Sequence, residues 1–246
     1  MKKFLFFFVA FCAGTTMSFA QSDDLENDLI FQRREKSNAF FLGPKVGGTL
    51  TTMTQPDEGK LYKGSGFGFS AGLALKARFG KATENSEGGT GLFGVGLELK
   101  YRTNSVKTNA TDEAGKENAN LSIGYFEVPI YVHIYPFVSS NVMNTFYVEA
   151  GVSISGTMSR SPKSLSLSKE LNSGYTDVVY NIDSGSKKLK GGDIRPLIGL
   201  GYTIPRTGLD INVRYLFGTS KLAKNMPCKM NSLEVSLAWM FSVSKF

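Results

Sequence analysis

The chain reads as all-β, and within that class as an eight-stranded antiparallel up-and-down transmembrane β-barrel. Three observations predict it. Long segments carry an apolar residue at every second position, the polar parity is rich in glycine and in charges of both signs, and the gaps between segments alternate in length.

The clearest segments form the stretch DIRPLIGLGYTIPRTGLDINVRYLFG at 193–218. Ile194, Pro196, Ile198, Leu200, Tyr202 and Ile204 share one parity; Leu209, Ile211, Val213, Tyr215 and Phe217 resume it after a link holding Pro205 and Gly208. Period-two alternation marks a strand with two unlike faces, and a short Pro/Gly link suits an antiparallel hairpin. Each run is longer than the about 5–6 residues of a soluble strand and matches the roughly 9–11 that a tilted strand needs to cross a bilayer. Such strands fall at about 39–51, 66–79, 92–103, 122–135, 145–157, 192–204, 209–219 and 232–243. The gaps 52–65, 104–121, 158–191 and 220–231 alternate with the generally shorter 80–91, 136–144 and 205–208. Long outer loops and short periplasmic turns alternate in this way in outer-membrane barrels. Within the longest gap, residues 175–182 either prolong the flanking strands or form a small hairpin. In the fourth strand Leu121 and Ile123 occupy one parity, whereas Phe126, Val128, Ile130, Val132 and Ile134 occupy the other, so a bulge is expected near Gly124.

Alternation alone does not say which face is wet, but the polar parity does. In the second and third strands it holds Gly68, Ser70, Gly72, Lys76 and Arg78, then Gly94, Gly96, Glu98, Lys100 and Arg102. Glycines weaken a water-exposed sheet face and pack against nothing. The narrow lumen of an eight-stranded barrel, by contrast, is filled by side chains of mixed size. The candidate interior network is Glu98, Lys100, Arg102, Glu127, Glu149, Arg195 and Arg214, with Lys45, Lys76, Arg78, Asp193, Asp210 and Glu234 nearly balancing the signs. Buried charges persist when they are paired. Phe40, Phe79, Tyr101, Tyr135, Phe146, Tyr202, Phe217, Trp239 and Phe241 cluster towards strand ends, where interfacial girdles are expected. The apolar parity therefore meets lipid. On this reading Ile198→Asp blocks membrane assembly and Gly199→Ser is tolerated.

The first residues, MKKFLFFFVAFCAGTTMSFA, read as an export signal peptide at 1–20, cleaved near Ala20, and the bulky Phe11 before Cys12 argues against lipidation. A charged periplasmic lead-in, 21–38, and a barrel domain, 39–246, follow. Beyond the signal, Cys228 is the single cysteine and His133 the single histidine, so an intrachain disulfide, a zinc site and any other cofactor are not expected. The formal charge of +7 is scattered rather than striped, which argues against nucleic-acid binding. Eight strands are too few for an aqueous channel. An enzyme is not expected either, because His133 near the periplasmic end of its strand stands far from the Ser-rich outer gap 158–191.

Three stretches resemble the PorT-type outer-membrane β-barrel family: FFLGPKVGGTLTTM, then YFEVPIYVHIYP with FYVEAGVSISG, then GLGYTI and LDINVRYLFGTS before an aromatic-rich last strand. The resemblance spans about 39–243 and implies family motif positions at Gly43 and Gly47, at Glu127 and Pro129, and at Arg214 and Tyr215. Physically, Pro129 cannot donate to the ladder, so it marks a bulge or a weak pairing position, and Glu127 points inward, available to Arg102 or Arg214. Either Phe241 or Phe246 stands where the family carries its terminal aromatic assembly signal. The function it implies is a non-enzymatic accessory or assembly component of an outer-membrane complex, related to type IX secretion, whose partners are membrane lipid and other envelope or secretion proteins. The alternative is a surface-exposed ligand-binding or envelope-stabilising barrel. Its outer lysines (Lys163, Lys169, Lys187, Lys188, Lys190, Lys221, Lys224 and Lys229) would meet lipopolysaccharide phosphates, or serve only as a solvated surface.

Overall fold

A computed structural model describes residues 39–54, 62–79, 91–112, 114–137, 140, 143–171, 174–181, 191–205, 207–221 and 228–245. The strands are β1 (Ala39–Thr54), β2 (Tyr62–Phe79), β3 (Phe93–Thr108), β4 (Thr111–Asp112), β5 (Asn120–Ile134) and β6 (Phe146–Ser161). They continue as β7 (Ser164–Leu171), β8 (Gly174–Asn181), β9 (Gly192–Thr203), β10 (Leu209–Leu216), β11 (Lys229–Trp239) and β12 (Phe241–Lys245). β1, β2, β3, β5, β6, β9, β10 and β11 pair antiparallel in that order, and β11 returns to β1 from Lys45↔Ala238 to Thr54↔Lys229. The barrel is closed, and its eight strands are those that the alternation marks.

Alternation decides the two faces as well. Ile194, Ile198 and Leu200 are 59, 53 and 50% exposed, while Arg195 and Arg214 between them are fully buried. The same apolar outer belt runs over Val46, Phe69, Leu97, Ile130, Val152, Val213 and Val235. A contiguous apolar surface of this extent is a site of contact with lipid rather than with water.

The strands run further outward than their hydrophobic pattern does. β3 continues to Thr108 and β6 to Ser161, and β2 starts already at Tyr62. There the outward residues of β3 turn polar, as Thr103, Ser105 and Lys107, and the inward ones of β3 and β5 turn apolar, as Val106, Leu121 and Ile123. Beyond the bilayer the outside is wet and the inside is a core, so the apolar parity changes face while the strand continues. This corrects the reason given for a bulge at Gly124. Leu121, Ile123, Tyr125, Glu127 and Tyr131 all point inward in unbroken alternation. The register shift lies opposite, where Gly124 faces Ser159 and Tyr125 faces Thr157, leaving Met158 of β6 as the extra residue.

Two further corrections concern a strand end and a girdle residue. The last strand is interrupted at Met240, whose side chain is buried beside Ala74 and Ala238 and whose N–H donates to Gly208 O at 2.7 Å. Gly208 has φ +68°, a conformation that favours glycine, and a Cβ there would meet the Met240 carbonyl. Tyr135 is not a girdle residue: it shares the inward parity of Tyr131 and His133 and is 6% exposed. Of the two expectations for the gap 158–191, its described residues form the small hairpin, β7–β8, with β4 on the other edge of β7.

Candidate functional site

The lumen is built in tiers from inward positions of all eight barrel strands. At its centre, Glu98 of β3 accepts from Lys45 of β1 at 2.7 Å, from the Tyr131 hydroxyl at 2.7 Å and from Arg214 at 3.0 and 3.1 Å. Arg214 also spans Glu149 through Nε and, at 3.1 Å, through Nη2. Its guanidinium lies 4.6 Å from the centre of the Tyr131 ring. Lys100 donates to both oxygens of Glu234, at 2.8 and 2.6 Å, and Ser70 adds a third hydrogen bond to that carboxylate. Such groups are costly to bury singly, and the shared forks offset that cost.

Towards the periplasmic end, Lys76 pairs with Asp210 at 2.7 Å and donates to the Tyr147 hydroxyl, which in turn donates to Asp210 at 2.8 Å. His133 is fully buried among the rings of Tyr131, Tyr135 and Tyr147, with Nε2 3.4 Å from Glu149. It is an inward filler, held in an aromatic cage. Arg78 closes this end: it donates to Gly91 O and Asn144 O, both at 2.9 Å, and covers the Tyr135 ring at 3.8 Å. One side chain thus ties the two short turns after β2 and β5 to the barrel wall.

Towards the outer end, Arg102 pairs with Glu127, and Arg195 donates to Asp193 at 2.9 Å while lying over Tyr125. Glu127 therefore meets Arg102, whereas Arg214 pairs with Glu98 and Glu149. Above this tier, Met53, Val106, Ala110, Ala119, Leu121, Ile123, Leu165 and Cys228 pack with Tyr125 and Met230 into an apolar plug.

Small residues make the lumen possible. A Cβ on Gly96 would enter the Tyr131 ring, and one on Gly201 would enter the Tyr147 ring. At Gly199 it would stand 2.6 Å from Glu149 Oε1 and 2.7 Å from Val213 O, so the expected tolerance of Gly199→Ser is corrected: the serine collides with the carboxylate that holds Arg214. A Cβ on Gly47 would come within 2.9 Å of Val235 O and Ser70 Oγ, and Gly43 lies against the Trp239 carbonyl. Pro129 faces inward, and the β3–β5 ladder skips from Leu97↔Ile130 to Lys100↔Glu127 across it. Tyr215 lies on the outer face, edge-on to Phe217 at 4.7 Å.

The tyrosines of the lumen, Tyr131 and Tyr147, and the apolar plug were not among the sequence candidates. The signal was present: Tyr131 is four residues from Glu127 and Tyr147 two from Glu149, on the same parity.

A closed barrel with a lipid-facing belt and an ion-paired lumen is the construction of an outer-membrane protein. The chain belongs to the family described as outer membrane protein beta-barrel domain, whose model matches residues 19–224, and it is an outer-membrane β-barrel protein. Comparison with curated proteins finds no match. Among solved structures it is similar to Ail, the attachment invasion locus protein of Yersinia pestis, solved with the heparin analogue sucrose octasulfate (13% identity, TM-score 0.42, 82% of this chain and 99% of that one). It is also similar to Neisserial surface protein A (10%, 0.40, 82% and 97%) and to OprG of Pseudomonas aeruginosa (10%, 0.39, 85% and 99%).

Proposed function

We propose that the protein is a sealed, non-conducting surface barrel whose outer side binds an anionic ligand, the phosphates of outer-leaflet lipopolysaccharide. The observation that carries this reading is the investment in the outer end: the wall rises past the lipid belt, an apolar plug stops the lumen, and the sheet β4–β7–β8 forms a separate structure within the outer gaps. Charge supports the ligand class. The outer gap 220–231 holds Lys221, Lys224 and Lys229 and no acidic residue, and Lys163, Lys221 and Lys229 are exposed. Exposed lysines gathered on one side of a membrane protein attract phosphate headgroups, and salt weakens that attraction. Lys169, Lys187, Lys188, Lys190 and Lys224 belong to the same reading; their side chains lie outside the described residues.

Deleting 158–191 tests it. The truncated barrel keeps its compact, heat-modifiable gel mobility and loses most salt-sensitive binding to lipopolysaccharide vesicles. Unchanged binding by a folded deletion variant rejects the reading.

A second reading, an accessory component of a secretion-related outer-membrane complex, is supported by the PorT-type motifs and by one structural feature. Among the described residues β12 pairs with β1 alone, which leaves its other edge without a strand partner in that set. Co-migration with partners in a native gel of solubilised membrane supports it, and migration as a lone barrel counts against it. Both readings include export by the signal 1–20, a lead-in at 21–38 and a barrel domain from residue 39. Under either, the barrel needs no catalytic group.

A further inference from the structure

We propose that Cys228, Met230 and Met53 form a binding site for a soft monovalent cation, copper(I) or silver(I), at the outer mouth of the barrel. The placement comes from strand register. Met53 and Met230 are direct partners across β1 and β11, and Cys228 precedes Met230 by two residues, on the same inward side. All three are buried in one cluster, at 5, 3 and 3% exposure, and the Cys228 thiol is free. Directly opposed residues have Cβ atoms about 4.5–5.5 Å apart, a gap that two flexible methionine side chains readily converge across.

The chemistry of the donors selects the ion. Thiolate and thioether sulfurs suit copper(I) and its heavier congener rather than magnesium or calcium, and zinc takes Cys, His and carboxylate ligands rather than the two thioethers present here. The rest of the cluster is Val106, Ala110, Ala119, Leu121, Ile123 and Leu165 with the ring of Tyr125, whose hydroxyl stands 4.0 Å from Met230 Sδ. Among the described residues no group of His, Cys, Asp and Glu could hold a metal, so a hard divalent ion finds no such set to compete for. Charge balance points the same way. Binding transfers the Cys228 proton to water and leaves thiolate and monovalent cation as a neutral pair. A divalent ion would leave net positive charge in an apolar plug, which is costly. Position adds access: Cys228 lies within the outer gap 220–231, so ions arrive from the cell exterior without crossing the lumen.

The test uses the full barrel, refolded in detergent without chloride, titrated with silver nitrate and, separately, with chelator-buffered copper(I). The site predicts one ion retained per chain after desalting, and loss of retention in Cys228→Ser. In Met53→Leu and Met230→Leu, both close to isosteric, affinity falls by more than the roughly tenfold that removal of a supporting outer group costs. Heat-modifiable mobility reports folding of each variant, so the methionine pair remains decisive where the serine variant fails to fold. No retained ion in the folded wild type overturns the proposal. So does binding by both leucine variants as tight as the wild type's, which would mean a thiol acting alone.

Discussion

Arg214 ties two buried carboxylates of the lumen together. It is fully buried and forks onto Glu98 and Glu149 from β10, joining β3 to β6 across the lumen. Replacing it by methionine leaves Glu98 with Lys45 and Lys100, but leaves Glu149, among the described residues, with only His133 at 3.4 Å. Removing one partner of a buried pair costs about 3–5 kcal/mol, most of it from the stranded charge. Arg214→Met therefore lowers the urea midpoint of the refolded barrel sharply, and adding Glu149→Gln recovers part of the loss. Equal midpoints for the single and double variants reject the pairing as the cause. Gly199→Ser acts on the same carboxylate by crowding it. Overpacking of this kind costs about 1–3 kcal/mol, read as a smaller downward shift of the same midpoint. Cys228 behaves differently because it lies outside the membrane span. Burial pushes its thiol up to about 11, so the thiolate is scarce at neutral pH. Alkylation of the folded protein is expected to be slow at pH 8, faster towards pH 11, and rapid in denaturant at either pH.

Within elements, the outward parity of β9 sets insertion. Ile198 stands 53% exposed between Ala150 of β6 and Tyr215 of β10, in the apolar belt. Arginine near the bilayer midplane costs about 2–4 kcal/mol, and an acidic residue somewhat less. Ile198→Arg is thus expected to reduce the folded fraction in vesicles, while Leu197, inward and buried, marks the opposite parity on the same strand. Normal assembly of Ile198→Arg would reverse the assignment of faces. Element existence was legible because each strand crosses two environments of fixed polarity, which writes a period of two into the sequence. Element ends were not. Above the bilayer the environments exchange, so Val106, Leu121 and Ile123 carry the apolar parity inward and imitate a bulge. The break at Met240 was hidden for a related reason: Trp239 and Phe241 continue the aromatic pattern across it, stacked at 6.0 Å with their planes 14° apart.

For the whole molecule, closure turns a list of alternating charges into a network. The mature protein is expected to begin at Gln21, which N-terminal sequencing of the membrane-inserted chain checks; a chain that retains Met1 removes the export signal from the proposal. Strand number, antiparallel order and the charged inward positions were legible in the amino-acid order, because lipid outside and a narrow lumen inside each select a residue class at alternate positions, whereas the inward Tyr131, Tyr135 and Tyr147 share their residue type with interfacial girdles and were not. Who pairs with whom was settled by the folded sheet. Lys45 and Glu98 are 53 residues apart and Arg214 and Glu98 are 116 apart, and parity says only that they share a lumen. Their contact depends on the stagger with which β11 meets β1, and the apolar plug depends on how far the wall rises beyond the lipid. Stagger and height are properties of the closed sheet, to which every strand contributes and which no one strand encodes.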